Sequence, residues 1–435
     1  MSREDQGLAL DRLAVFKARN DRRWGRLLWL LVGPGILVML GENDAPSMLS
    51  YSATGAQFGI GFFLPFVLLT FAMAFVAQEI TVRLGAVSKT GHAELIYRRF
   101  GKFWGNFSMA DLLLTNWMTL VTEFVGIVAG AGYFGVPPWA AVLGGVALVS
   151  LAAFMRRYWR WERVTMLLAL FNLVFIPVAI LAHPDWGAVS RAFLTWRPLP
   201  GGINPTHIVI LLADIGATIT PWMLFFQQGA VSDKGLTTTD IRHGRWDTAI
   251  GAGMAALAAA ATIVATSALF GHRMNAGQFN GAQFAQALVP YAGRIGGSLF
   301  ALGILEAGLV AATTISASSA YAFGEVARRT HSLNAPFQEA KGFYLVIILM
   351  AILSGGVVLL PGFPLEPVVL MVNVIAVLTM PPAIGFALLL ANDREVMGEY
   401  GNTRFLNLLG ILVGAFVSLA GIVYAVSVIF PHLRL

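Results

Sequence analysis

The stretch that most constrains this chain is residues 33–59, which is apolar enough to enter a bilayer but is interrupted at its centre by Glu42, Asn43 and Asp44. A carboxylate at the middle of a membrane costs about 2.5–3.5 kcal/mol on insertion scales. Pro46 lacks the amide hydrogen that a continuous helix needs. Unwound backbone is tolerated there only inside protein or beside a cavity. We predict a discontinuous helix that holds an ion site, the alternative being a kinked helix whose acid serves packing.

The composition is that of a membrane protein built from helices alone. Hydrophobic residues make up 57% of the 435 residues and charged residues only 12%, against roughly 25% charged residues in soluble domains. With no cysteine, disulfides and thiolate sites are excluded. Apolar segments near the length that spans a bilayer occur at residues 27–57, 59–83, 108–134, 137–155, 163–182, 205–231, 247–271, 296–323, 342–361, 366–391 and 405–430.

The basic residues are distributed unevenly between the two sides of these segments. If the amino terminus is cytoplasmic and the segments alternate, 24 of the 29 Lys and Arg residues fall inside. This follows the positive-inside rule and predicts an external carboxyl terminus. The expected location is the inner membrane of a prokaryote. Residues 1–26 are expected to form a cytoplasmic arm, amphipathic at the membrane surface. Because the charges lie in short loops, nucleic-acid binding is not expected.

A second interruption lies in the sixth segment. Pro221 follows the Gly-Ala-Thr run 216–218 in mid-segment, and Asp214 and Gln227 lie on the same segment. Matching breaks in two halves indicate an inverted-repeat transporter with its site between the repeats. We therefore expect a first five-helix repeat at 27–182, a second at 205–391 and an additional helix at 405–430.

Two further acids lie inside predicted spans. Glu123 on the third segment is as well explained by a helix–helix contact beside small residues as by function. Glu306 on the eighth segment has no role that the sequence indicates. The chain contains no phosphate-binding loop and no HExxH motif, so an enzyme is not expected.

Five sequence motifs together resemble one known family. They are GPGIL at 33–37, ATGAQFG at 53–59, EFVGIVAGAGYFGVP at 123–137, GATITP at 216–221 and NDREVMGE at 392–399. The chain is similar to the NRAMP family of divalent-metal transporters, and more closely to its NRAMP-related magnesium transporter branch. The resemblance implies a LeuT-type fold of two inverted five-helix repeats, in which broken helices 1 and 6 form the metal site.

The resemblance also implies a ligand set, with Asp44 in the place of the family's metal-binding aspartate. The other candidate ligands are the side chains of Asn43, Glu42, Ser47, Thr220 and Asn373 and the carbonyls of Gly41 and Ala217. Candidates for a proton path or an auxiliary role are Glu123, Trp222, Gln227, Asp214 and Glu306. The departures from the family pattern are Ser47 for Asn, Thr220 for Met and Trp222 for His.

These departures shift the expected chemistry of the site. A thioether favours softer ions, and its loss leaves oxygen ligands that suit Mg²⁺. We expect transport of Mg²⁺, and also of Mn²⁺, driven by the membrane potential without obligatory proton coupling and without a cofactor. The alternatives are a proton-coupled Mn²⁺/Fe²⁺ symporter, an organic-solute symporter on the same fold and a member that has lost transport. The sequence leaves the oligomeric state open.

Overall fold

The computed structural model describes residues 3–155, 157–199, 205–271, 280–363 and 365–429. Within these ranges every regular element is a helix. Some residues of the predicted segments lie outside the described residues: 1 and 2 of the arm, 156 of the first repeat, 272–279 and 364 of the second repeat, and 430 of the last helix. The division into two repeats stays a prediction.

Each predicted apolar segment corresponds to one helix or to a divided helix, which we call spans 1 to 11. In the described chain, spans 2, 3 and 5 to 11 are the nine helical segments long and apolar enough to cross a membrane. Span 4 is shorter, at 16 residues, and span 1 is divided into helices of 9 and 14 residues. The bounds are Pro34–Glu42 (span 1a), Ala45–Phe58 (1b), Phe63–Ser88 (2), Lys102–Gly132 (3), Pro138–Ala153 (4), Tyr158–Ala169 and Phe175–Leu181 (5), Pro205–Gly216 (6a), Pro221–Asp233 (6b), Ile241–Thr266 (7), Gly281–Ala327 (which contains 8), Lys341–Val358 (9), Leu365–Ala391 (10) and Arg404–Ile429 (11).

Shorter helices connect the spans. Two precede span 1, one lies between spans 2 and 3, one lies between spans 5 and 6, and one precedes span 11; they are Arg3–Asn20, Trp24–Leu31, His92–Phe100, Trp186–Thr195 and Arg394–Met397. The helix that contains span 8 is bent at Gly293, whose φ of 70° and ψ of 174° are not helical. Residues before this bend form a separate segment outside the predicted span 296–323.

Span 5 differs from expectation. No glycine or proline marks a break at the middle of this span, but the structure has a 3₁₀ segment, Leu170–Val174, between its two α-helical parts. A mid-span stretch of 3₁₀ helix often marks strain or a hinge. Here it presents the buried Asn172 to the break of span 1, where the two asparagines exchange hydrogen bonds. This irregular segment was not predicted from the sequence.

The divided span 1 lies at the centre of the bundle. All nine residues of span 1a are buried, as are most residues of span 1b. Span 3 approaches it closely at Gly126, which has no side chain. A Cβ at this position would lie only 2.1 Å from the Cβ of Ala45. Span 8 packs chiefly on span 3, while span 7 packs on spans 1a and 2. Spans 3, 7 and 8 thus enclose the broken helix.

The predicted arm is a helix that docks on the start of span 7. The guanidinium groups of Arg12 and Arg19 both bind the carboxylate of Asp240, at 3.0 and 2.6 Å. Val15 is buried, while Leu13 and Phe16 are 62% and 68% exposed. We call the side of the bundle that carries this helix the arm end and the opposite side the far end.

Candidate functional site

The break in span 1 is a helix cap made by a candidate ligand. Span 1a ends at Glu42 and span 1b begins at Ala45. Asp44 has extended backbone geometry and its Oδ1 accepts a hydrogen bond from the Ser47 amide at 2.9 Å. Pro46 is tolerated because the first-turn amides of a helix have no partner within it. The sequence prediction of a break at this point is confirmed.

The break in span 6 faces the break in span 1. Span 6a ends at Gly216 and span 6b begins at Pro221, as the sequence predicted. Thr220 precedes span 6b with extended backbone, and its hydroxyl donates to Glu42 Oε2 at 2.8 Å. This hydrogen bond joins the two breaks directly.

A third acid reaches the same place from span 3. One carboxylate oxygen of Glu123 accepts a hydrogen bond from the Ala45 amide at 3.1 Å. Glu42, Asp44 and Glu123 are at most 2% exposed, and both glutamates are near enough to interact electrostatically with Asp44. The three carboxylates therefore concentrate negative charge around the amino end of span 1b.

Several acceptors at this place have no hydrogen-bond partner among the described residues. They are Glu42 Oε1, Asn43 Oδ1, Ser47 Oγ and Glu123 Oε1, all buried. A buried polar atom without a partner costs about 1–3 kcal/mol, and a cation removes that cost by coordination. Within the described chain no three His, Cys, Asp or Glu side chains are placed to hold a metal ion by themselves, so hydroxyl, amide, carbonyl or water ligands would complete its coordination.

Asn43 acts as a bridge between spans. Its Nδ2 donates to the Ala255 carbonyl at 2.8 Å and to Asn172 Oδ1 at 3.1 Å, and Asn172 Nδ2 donates back to the Asn43 carbonyl at 3.0 Å. The amide group thus fastens the unwound segment to spans 5 and 7. The Oδ1 atom is the part of Asn43 left to act as a ligand.

The remaining predicted ligands lie around the breaks. The Ala217 carbonyl accepts a hydrogen bond from the Tyr51 hydroxyl at 2.8 Å, which leaves it one lone pair. Asn373 is buried on span 10, and its carbonyl is so close to Gly216 that a Cβ there would lie 1.9 Å away. A Cβ on Gly41 would lie 3.3 Å from the Thr314 hydroxyl.

Trp222 borders the site on its span 6b side. A ring carbon of Trp222 would lie 3.4 Å from a Cβ on Gly41. The indole N–H lies close to the carboxylate of Glu42. The side chain is 1% exposed, and its N–H has no hydrogen-bond acceptor of good geometry in the described chain. This indole therefore supplies bulk and one N–H beside Glu42, where an imidazole would supply a titratable ring.

Two predicted auxiliary residues are engaged away from the three carboxylates. Asp214 accepts hydrogen bonds from Ser50 at 2.9 Å and Thr54 at 2.8 Å, which ties span 6a to span 1b. Gln227 donates to Thr248 at 2.8 Å and accepts from Thr81 at 3.1 Å, which ties span 6b to spans 7 and 2. Both contacts hold helices together.

Glu306 lies on the long helix that contains span 8. Its two carboxylate oxygens are buried without a hydrogen bond of good geometry in the described chain. The side-chain amide of Asn172 is the polar group that interacts with this carboxylate. Asn172 was missed by the sequence reasoning, although it is the one polar residue in the apolar run LALFNLVFI.

The arm end of span 1a is held by buried charges that the sequence reasoning also missed. Asp247 accepts hydrogen bonds from the amides of Gly33 and Gly35 at 3.0 and 2.7 Å. Lys234 donates to Glu162 at 2.6 Å and to the Val32 carbonyl at 2.9 Å. No motif signals these contacts, because they join four distant parts of the chain.

Cavities open at both ends of the bundle. A cavity of 620 Å³ at the far end is lined by the loop after span 1b and by residues near 182–198, and one of 290 Å³ at the arm end is lined by Asp233, Tyr321 and Glu325. The linings of these two cavities contain none of the candidate ligands. In this conformation the breaks are buried between them.

Comparison with known proteins shows which family this chain resembles along most of its length. A family model described as "Natural resistance-associated macrophage protein-like", abbreviated Nramp, matches residues 35–427. A relative from Deinococcus radiodurans named "Divalent metal cation transporter MntH" is 25% identical over 421 residues, which are 93% of this chain and 91% of the relative. A namesake from Brucella suis is 29% identical over 301 residues, 66% of this chain and 64% of that protein.

The fold also matches solved structures. A manganese transporter from Eremococcus coleocola superimposes with a TM-score of 0.76 at 20% identity, covering 94% of this chain and 89% of that one. A Na⁺-coupled sialic acid symporter, a LeuT-fold transporter, superimposes with a TM-score of 0.59 at 15% identity, covering 98% and 96%. At these identities the likeness shows the fold alone, and the predicted LeuT-type class is confirmed.

Proposed function

Because this chain belongs to the Nramp family, we propose that it is a membrane transporter of divalent metal ions. The observation that carries the proposal is the meeting of the two breaks, where buried acceptors of Glu42, Asn43, Ser47 and Glu123 lack hydrogen-bond donors. Broken helices at the interface of two repeats are where transporters of this architecture bind their substrate and alternate its access.

We propose Mn²⁺ as the principal ion. The relative from Deinococcus is named a divalent metal cation transporter, and the superimposed Eremococcus protein is a manganese transporter. Carboxylate, carbonyl and water ligands suit Mn²⁺ as well as Mg²⁺. This order reverses the sequence expectation, in which Mg²⁺ came first.

Mg²⁺ is the second candidate, and the absence of a soft ligand from the described site supports it. Thr220, which stands in the place of the family's methionine, offers a hydroxyl that donates to Glu42. The sulfur of Met48 accepts a hydrogen bond from Thr262 on span 7. An oxygen-only site discriminates poorly against hard ions, so both ions would enter.

We propose that Asp44 is the main ligand, with Glu42 beside it. A divalent ion between them would neutralise two buried charges that otherwise repel each other. Glu123 would assist by holding the Ala45 amide and would present its second oxygen to the same place. An organic acid as substrate is disfavoured, because its carboxylate would meet these three acids.

We further propose that the arm end is cytoplasmic in a prokaryotic inner membrane. The uneven distribution of basic residues supports this orientation. The membrane potential would then draw a divalent cation inward with about 2.3 kcal/mol per charge for each 100 mV.

The test is uptake by the full chain in proteoliposomes that contain dyes for Mn²⁺, Mg²⁺ and pH. We expect Mn²⁺ entry, weaker Mg²⁺ entry and loss of both in Asp44→Ala. Entry of neither ion into vesicles with folded wild-type protein would overturn the function. Undiminished entry in Asp44→Ala would overturn the site.

A further inference from the structure

We propose that Glu306 is a proton-binding site that is coupled to the metal site through the paired side chains of Asn172 and Asn43. The inference rests on the proposed function and deepens it, because it places a proton away from the metal ligands. It begins from a carboxylate that the metal site does not use.

The position of Glu306 demands a neutralising partner. It lies on the long helix that forms span 8, and both carboxylate oxygens are buried without a good hydrogen bond in the described chain. An ionised carboxylate in such a place is unstable unless it is paired or binds a cation. The group must therefore take up a positive charge.

No charged side chain of the described residues supplies that charge. The long helix that contains span 8 packs against spans 1, 3, 4, 5, 6, 7 and 9. The acids that spans 1 and 3 carry here, Glu42, Asp44 and Glu123, act on one another. The carboxylate of Glu306 is buried, and the uncharged side chain of Asn172 is the group that interacts with it. A positively charged partner must therefore come from solution.

The geometry favours a proton over a metal ion as that partner. One carboxylate and one amide are too few ligands for a divalent ion, and no set of three acidic or imidazole groups converges in the described chain. A single proton neutralises the carboxylate completely and needs no further ligand. The protonated acid can also donate a hydrogen bond.

The state of Glu306 has a direct route to the break in span 1. Asn172 lies between them on the 3₁₀ segment of span 5, next to Glu306 on one side. On the other side it exchanges two hydrogen bonds with Asn43, at 3.0 and 3.1 Å. Because an ionised carboxylate attracts the Asn172 N–H groups more strongly than a protonated one, loss or gain of the proton shifts the Asn172–Asn43 pair.

The coupling must act in both directions. If proton binding at Glu306 changes the metal affinity of the break, metal binding changes the proton affinity of Glu306 by the same factor. Movement of metal through the breaks would then be accompanied by movement of protons through this separate site.

The experiment compares wild type with Glu306→Gln, which has nearly the same shape but does not titrate. Mn²⁺ affinity is measured by calorimetry at pH 6 and pH 8, and proteoliposomes report Mn²⁺ and proton entry together. We expect wild-type affinity to change by about fivefold or more between the two pH values. Glu306→Gln should flatten this dependence and let Mn²⁺ enter with less acidification.

Two further variants keep the test decisive. Glu399→Gln makes the same chemical change at an exposed position of the short 3₁₀ helix Gly398–Tyr400 and should behave as wild type. Asn172→Ala leaves Glu306 titratable but removes the bridge, so metal affinity should lose its pH dependence as in Glu306→Gln. It also serves if Glu306→Gln does not fold.

The outcomes separate the two proposals. If wild type carries Mn²⁺ and Glu306→Gln retains the wild-type pH dependence and acidification, the role of Glu306 is overturned while metal transport stands. If wild type binds and carries no divalent ion, the proposed function itself fails.

Discussion

The two helix breaks differ in what they bring to the site. The break in span 1 carries two acids and an asparagine and is fastened to spans 3, 5 and 7 by Glu123, Asn172 and the Ala255 carbonyl. The break in span 6 carries hydroxyl groups and no charge between Gly216 and Pro221.

The span 6 break is organised by hydroxyl contacts. Thr218 bonds to Tyr51 at 3.0 Å, to Thr70 at 2.9 Å and to the Asp214 carbonyl at 2.8 Å, while Thr220 donates to Glu42. The comparison teaches that the span 1 half supplies the charge that would attract a cation, while the span 6 half supplies a hydroxyl donor that orients Glu42.

Removing the main charge should have the largest effect. Asp44→Asn keeps an oxygen that can cap span 1b but loses its negative charge. We expect Mn²⁺ uptake in proteoliposomes to fall more than about 100-fold, beyond the loss typical of residues that only support a ligand. Asp185→Asn, at another helix cap whose side chain is exposed, is the matched control and should retain uptake. Comparable uptake in the two variants would mean that the charge of Asp44 is not needed for transport.

Glu42→Gln should come next. Its amide oxygen can still accept the hydrogen bond from Thr220, so the contact between the breaks survives while one charge is lost. We expect Mn²⁺ affinity, measured by calorimetry, to weaken by about 10- to 100-fold. An affinity within twofold of wild type would mean that Asp44 alone supplies the charge.

Loss of the orienting hydroxyl should cost less. Thr220→Val removes the donor to Glu42 at nearly constant volume, and a hydrogen bond to a charged group contributes about 1.5–3 kcal/mol. We expect roughly tenfold weaker Mn²⁺ binding, with Thr220→Ser close to wild type. If Thr220→Val costs as much as Asp44→Asn, the division between charge and orientation is wrong.

The smallest expected change is one of selectivity. Thr220→Met places a thioether at the break in span 6, and sulfur ligands favour softer ions. We expect severalfold better Cd²⁺ uptake relative to Mg²⁺ in competition assays, with Mn²⁺ uptake reduced by less. An unchanged ratio of Cd²⁺ to Mg²⁺ would show that position 220 does not reach the ion.

The features that could be predicted from the sequence were those determined by residues within one short stretch of the chain. Pro46 and Pro221 cannot continue a helix, so the breaks fall where the sequence places them. The acids of span 1 are too costly for lipid and therefore had to lie inside the bundle. The eleven apolar segments likewise follow from length and hydropathy.

Contacts between distant spans could not be predicted from the sequence. Asn172 and Asn43 are 129 positions apart, and Lys234 lies 72 positions from Glu162. The polar run of span 1b contains Tyr51, but nothing local tells that its hydroxyl meets the span 6 break. Such pairs depend on how the helices pack, which one sequence does not specify.

The bend at Gly293 has a mechanical consequence. A left-handed φ of 70° there suits glycine better than any other residue. The residues from 294 to 327 form one continuous helix roughly 50 Å long, which contains Glu306. At its arm end, the carboxylate of Glu325 accepts a hydrogen bond from the Glu94 amide of the helix between spans 2 and 3. If this helix tilted about Gly293 as one unit, the movement would reach the arm end of the bundle as well as its far end.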